Sequence, residues 1–219
     1  MKLMISDVII PMESRTISLS AVIVLMDGFY NGEKTVVGDT WMTLKEGVDP
    51  LKKTDALYVA VNLTPRTYQA TIRAQYYNTK LTTFEIPVSD SVPVEGKLLK
   101  IPITLDPSPA YPFPEKTTLL RGQVLDADTG LPLGDGQVTI DYGDVQKKTT
   151  TNSFGQFVFS FSEESGSQIE ASVTVTVPFY LTGNENVRIK PGEATLFSIK
   201  MNRIMIWERE PVRDDREKQ

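Results

Sequence analysis

A chain of 219 residues with 28 acidic against 23 basic side chains, a formal charge of −5, lacks the cationic surplus that duplex nucleic acid demands of a binder. It contains neither cysteine nor histidine, which excludes disulfides, thiolate and imidazole metal sites, Ser-His-Asp triads and Cys-His dyads together. At 40% hydrophobic residues it can bury one large β domain or two of about 100 residues.

The opening "MKLMISDVIIPMESR" starts with a lysine and apolar residues, but Asp7 and Pro11 interrupt it before a signal-peptide core is complete, so export by the general route is not expected. No run approaches the roughly 18 apolar residues of a membrane span, and a soluble, cytoplasmic protein is expected. From there the hydrophobic period is two. "ISLSAVIVL" places Ile17, Leu19, Ala21, Ile23 and Leu25 on one face. "LYVAVNL", "YQATIRAQYY", "LTTFEIPV" and "LLKIPITL" follow, bounded by "TPRT", "NTK" and "SDSVPVEGK".

Next comes "LDPSPAYPFPEKTTLLRG", with Pro107, Pro109, Pro112 and Pro114 and with Tyr111 and Phe113 between them. Prolines fix φ and push the preceding residue toward extended backbone, which predicts a stiff connector over 106–116. Tyr111 and Phe113 are candidate interaction residues with two readings: a plug packed on the neighbouring domains, which is favoured, or a Pro-aromatic motif docked by a partner. Beyond the stretch the strands resume as "LLRGQVLD", "GQVTIDY", "GQFVFSF", "EASVTVTVPFY", "NVRIK" and "ATLFSIKM". The chain closes on "MNRIMIWEREPVRDDREKQ", where Ile206 and Trp207 precede a tail of mixed charge. Exposed apolar residues in such a place predict docking on this chain or a neighbour.

The two halves repeat one another. "LMDGFYNG" stands against "VLDADTG", matching Asp27 to Asp126 at an offset of 99 (126 − 27), and "LYVAV" meets "QFVFS" at the same offset. "YQATIRAQYY" is set against "EASVTVTVPFY", each read as one strand ending in an aromatic pair. The expectation is all-β: two tandem transthyretin-like or immunoglobulin-like β-sandwiches, at 1–105 and 117–204, joined by the Pro-rich linker and followed by a tail over 205–219.

"RGQVLDADTGLPLGDGQVTIDYGDVQKKTTTNSFGQFVFSF" resembles the carboxypeptidase regulatory-like domain, a prealbumin-like sandwich. The resemblance rests on Gly122, Val124 and Asp126, on Thr129, Gly130, Pro132 and Leu133 in the turn, on Val138 and Ile140, and on Asn152, Gly155, Phe157 and Phe159. The first half lacks the T-G-x-P turn. Such domains are usually non-catalytic, packing against or presenting other parts. The whole layout also resembles small accessory proteins of phage-tail-like contractile injection systems. That resemblance implies a cap or adaptor role, other protein subunits as partners, a homo-oligomer within the particle and release with it.

Carboxylates remain for chemistry. "DADTGLPLGDG" has the look of an acidic calcium loop, but Gly130 stands at its fifth position and no Glu at its twelfth, so turn residues with solvated charge are the simpler reading. The glycines form no phosphate loop, and no catalytic residue, metal or cofactor is expected. Two functions are carried forward. One is a structural or adaptor subunit; the other is a ligand-binding or adhesin-like module for carbohydrate or peptide, with Trp41 and the Tyr76/Tyr77 pair as groove candidates. An enzyme is not expected.

Overall fold

The period-two pattern folds as strands throughout. The computed structural model describes residues 18–88, 99–161 and 167–204. Among them the regular elements are fourteen β-strands, and no helix is long and apolar enough to cross a membrane. Contacts divide the chain into two compact units, residues 1–75 with 79–106 and residues 76–78 with 107–219.

The first unit holds β1 (Leu19–Asp27), β2 (Thr40–Leu44), β3 (Leu51–Thr54), β4 (Leu57–Val61), β5 (Arg66–Ala74), β6 (Tyr77–Ile86, from residue 79 onward) and β7 (Lys100–Leu105). One sheet has the order β3-β4-β1-β7, with β1 antiparallel to β4 and parallel to β7; the other has the order β2-β5-β6. Alternation sends Ala21, Ile23, Leu25, Tyr58, Ala60, Ile103 and Leu105 of the first sheet inward. From the second sheet Met42, Leu44, Tyr68, Ala70, Ile72 and Phe84 turn inward. Each large side chain so buried contributes about 1.5–3 kcal/mol. The hydroxyls of Thr40 and Tyr58 lie 2.8 Å apart in this core, and Thr40 also donates to the Asp55 carbonyl, so the two buried hydroxyls are mutually satisfied.

The second unit holds β8 (Thr118–Asp126), β9 (Gln137–Tyr142), β10 (Val145–Thr150), β11 (Gln156–Phe161), β12 (Ile169–Thr176), β13 (Gly183–Ile189) and β14 (Ala194–Met201). Its sheets are β11-β8-β14 and β10-β9-β12-β13. Leu120, Val124, Val138, Ile140, Phe157, Phe159, Val173, Val175, Ile189 and Ile199 form the core between them. Gly122 sits opposite Phe157 in the β8–β11 ladder, and the phenyl ring lies across it: a Cβ there would stand 2.0 Å from the ring. Gly155, at φ 67°, turns the chain into β11, and a Cβ there would stand 2.5 Å from the Val124 carbonyl oxygen.

The duplication extends to register. Val24 pairs with Leu57 and Gln123 with Gln156, the same step of 99 on both strands. β14 runs parallel to β8 as β7 does to β1. At the fifth strand the match slips by one residue from the pairing of Tyr68 with Glu170: Tyr68, Ala70 and Ile72 are buried on β5, whereas β12 buries Ile169, Ala171, Val173 and Val175 and exposes Glu170. "YQATIRAQYY" is also not one strand. β5 ends at Ala74 and the chain turns before Tyr77 opens β6.

Candidate functional site

Asp126 ends β8, and its backbone N–H donates to the Leu131 carbonyl at 2.8 Å, closing the turn that follows. Its side chain is 1% exposed and saturated with donors. Oδ1 accepts from the N–H groups of Asp128 and Thr129, both at 2.9 Å; Oδ2 accepts from the Tyr180 hydroxyl at 2.7 Å and from Arg203 Nε at 2.8 Å. The Tyr180 hydroxyl, then the Thr129 N–H, with the Arg203 guanidinium adding to them, hold this carboxyl well below the usual carboxylate range. The same hydrogen bond raises the Tyr180 phenol above its ordinary value. Asp126 is therefore a turn residue, as the sequence indicates, but its charge is buried and paired instead of solvated. An ionised carboxylate with every lone pair engaged is a latch and a poor acid or base. It ties the turn after β8 to the strand-like pairing of Tyr180 with Arg203, where the chain leaves β14.

Asp27 holds the equivalent place at the end of β1, also 1% exposed, and its Oδ1 accepts from the Phe29 N–H at 2.8 Å. The backbone repeats as well. Gly28 N–H donates to the Leu105 carbonyl as Ala127 N–H does to that of Met201, and Gly32 N–H reaches back to Asp27 as Gly130 N–H does to Asp126. Among the described residues no group of three or more acidic side chains is placed to hold a metal ion.

Of the proposed interaction residues, Tyr111 is 5% exposed and Phe113 half-buried. Their rings lie 4.7 Å apart, and Tyr111 meets the buried Tyr77, which groups with the same unit, edge-on at 5.5 Å. Arg121 orders the prolines around them, donating from Nη1 to the Pro109 carbonyl at 2.7 Å with its guanidinium 5.6 Å from the Phe113 ring. Ile206 and Trp207 lie outside the described residues.

The outer face of the β2–β5–β6 sheet is the opposite kind of surface. On β2 the core takes Thr40, Met42 and Leu44, so Trp41 and Thr43 point outward, and Trp41 is 56% exposed. On β5, Thr71 and Arg73 face the same way, since Ala70 and Ile72 are buried. The antiparallel ladder sets Trp41 opposite Arg73 and Thr43 opposite Thr71, and with Ala74 and Gln75 these residues line an open groove of about 650 Å³. Lys52 stands 5.7 Å from the indole, held by Asp55 at 2.7 Å and by the Thr40 carbonyl at 2.9 Å. Of the groove candidates read in the sequence, Trp41 is on this face, while Tyr77 is buried and Tyr76 half-buried. Sequence reasoning missed Thr43, Thr71 and Arg73. Their signal was strand alternation measured from the buried Met42 and Ile72.

No protein-family model matches the chain, and no curated protein matches it. The carboxypeptidase regulatory-like resemblance thus rests on the residues quoted for it. Among solved structures, similarity is found to the TIE protein of Bacillus anthracis (13% identity, 85% of this chain and 34% of that one, TM-score 0.34). The chain thus spans about a third of that protein's length. A shaft pilin of Lactobacillus rhamnosus GG is similar at 12% identity, 87% of this chain and 100% of that one, with a TM-score of 0.33. A minor pilin of Streptococcus agalactiae gives 11%, 87%, 99% and 0.35. At these TM-scores the likenesses carry no weight for function.

Proposed function

We propose that this chain is a non-catalytic, adhesin-like recognition module, binding carbohydrate or peptide on the outer face of the β2–β5–β6 sheet. The observation that carries this reading is the exposed indole of Trp41 among outward hydroxyl, amide and guanidinium groups over an open groove. An aromatic ring exposed on a rigid sheet and ringed by hydrogen-bonding side chains is a recognition surface, since strands hold its members in fixed register. Asp126, whose carboxyl is held low by its donors, is fully engaged as a latch, which speaks against acid-base chemistry there. Among the described residues, the alternative of an adaptor or cap subunit of a contractile injection particle would draw on exposed apolar side chains such as Leu81, Phe154, Phe179 and Leu196, not on a groove lined by polar groups.

Trp207→Phe leaves Trp41 as the sole tryptophan, whose emission is read selectively by excitation above the tyrosine band, because the chain has two tryptophans. Titrating that variant with panels of oligosaccharides and peptides should quench or shift the emission with saturation, and Trp41→Ala in the otherwise native chain should abolish binding seen by calorimetry while melting is nearly unchanged. Undiminished binding by Trp41→Ala would place recognition elsewhere.

A further inference from the structure

We infer that the ligand of this face is a saccharide bearing a carboxylate, a uronic-acid sugar whose ring stacks on Trp41 while its carboxylate pairs with Arg73. The inference rests on the recognition reading above and adds the ligand class to it.

The register makes a block two residues wide and two deep: Trp41 beside Arg73, and Thr43 beside Thr71. Residues directly opposite in an antiparallel pair have Cβ atoms about 4.5–5.5 Å apart, so the block is of the size of one or two pyranose rings. Its chemistry is divided in the same way. The face of an indole is electron-rich and attracts the polarised C–H bonds on the flat side of a pyranose. Two threonine hydroxyls and the Gln75 amide both donate and accept, matching ring hydroxyls.

Arg73 sets the charge of the ligand. Its guanidinium makes no hydrogen bond or ion pair among the described residues, whereas Lys52, beside the same indole, is engaged by Asp55, and Arg66, at the far end of β5, by Glu46 at 3.2 Å. A neutral sugar would leave the guanidinium facing water, and a carboxylate matches its planar fork with two parallel charge-assisted bonds. The Lys52 ammonium, 5.7 Å from the indole, is already neutralised by Asp55, so Arg73 is the cation that the groove itself presents. An acidic peptide could meet the cation, but hydroxyls and an indole on the face of a sheet are better matched by a polyol ring.

The test uses the full chain and calorimetry with four probes: tetragalacturonate, a glucuronate-containing tetrasaccharide, neutral galactotetraose and hexaglutamate. Uronate binding should exceed that of galactotetraose about tenfold, the factor expected of a charge-assisted pair, and should weaken as salt is raised. Arg73→Gln should bring the uronates down to the neutral level and leave galactotetraose unchanged, with Arg73→Lys between. Trp41→Ala should remove both. Equal binding of acidic and neutral sugars, indifferent to Arg73→Gln, would overturn the charged-sugar inference and leave saccharide recognition standing. Tighter, Arg73-dependent binding of hexaglutamate would make the face a peptide site and overturn the saccharide class. Binding of no probe, with circular dichroism confirming the fold, would sink this inference, and the recognition reading would then be decided separately by the Trp41 emission titration.

Discussion

In the first unit the third strand, β3, follows β2 after six residues and turns into β4 through Asp55 and Ala56; in the second, β10 follows β9 through Gly143 and Asp144 and reaches β11 only after five residues. Every other strand is wired alike in the two units. A two-residue connection forces the strands it joins to pair, whereas a connection of five or six residues lets the chain cross to the other sheet. The third strand therefore belongs to the sheet on whose side the shortest turn falls: β3 pairs with β4 in the β1 sheet, and β10 pairs with β9 in the opposite one. A duplicated sandwich can thus carry its four-stranded sheet on either face without altering its core. The choice is made by the position of one turn.

The cores differ at a pair that the offset of 99 makes equivalent. Ile23 faces Tyr58 in the first unit, and Gly122 faces Phe157 in the second. The Tyr58 ring leans to the Thr40 hydroxyl and leaves room for a side chain at position 23; Phe157 lies over the bare backbone of Gly122. The largest effect is therefore expected from giving the second unit the first unit's residue. Gly122→Ile should destabilise it by on the order of 3 kcal/mol, since overpacking at a ring contact displaces both partners. Amide exchange should show protection lost in β8 to β14 and kept in β1 to β7. Loss in both units at once would mean that they unfold as one body.

Next in size is Asp126→Asn. The Asp126 carboxyl is held below its unfolded value of about 3.9, so the stability it contributes is complete above roughly pH 4 and is lost as the pH falls toward the depressed value. The native chain should lose stability in acid more steeply than the Asn variant, while at neutral pH the variant should be the less stable of the two. Denaturant midpoints measured from pH 2 to 7 that run parallel for both proteins would show that the latch is not charged in the way described.

The smallest effect concerns backbone strain. Among the described residues the first unit fills its left-handed positions with glycines and with Asn31 and Asn62, which tolerate them; the second puts Phe179, a residue 78% exposed, at φ 69°. Phe179→Gly should raise stability by about 0.5 kcal/mol, the left-handed penalty less the entropy glycine adds to the unfolded chain. A lower midpoint would show that the exposed ring makes a contact worth more than its strain.

The all-β class and eleven of the strands were legible in the sequence because β-branched and aromatic residues alternate there with polar ones. Three strands were not. β3 and β10, "LKKT" and "VQKKTT", are edge strands, and their lysines protect an exposed edge while erasing the alternation by which strands are read. β2 is only five residues long, and its Thr40 is a buried polar position that breaks the pattern. The Asp126 latch was illegible for another reason. Tyr180 and Arg203 lie 54 and 77 residues away along the chain and meet the carboxylate only through sheet topology. Trp41 could be singled out as a lone tryptophan in the first half, but its cross-strand neighbour Arg73 required the register.

The most direct measurement is a map of backbone and indole NMR shifts as tetragalacturonate is added to the full chain. Shifts are predicted for the Trp41 indole N–H, Thr43, Thr71, Arg73 and Gln75, with β8 to β14 undisturbed. Shifts gathered in the second unit instead, around Leu196 or Phe179, would contradict recognition by the β2–β5–β6 face.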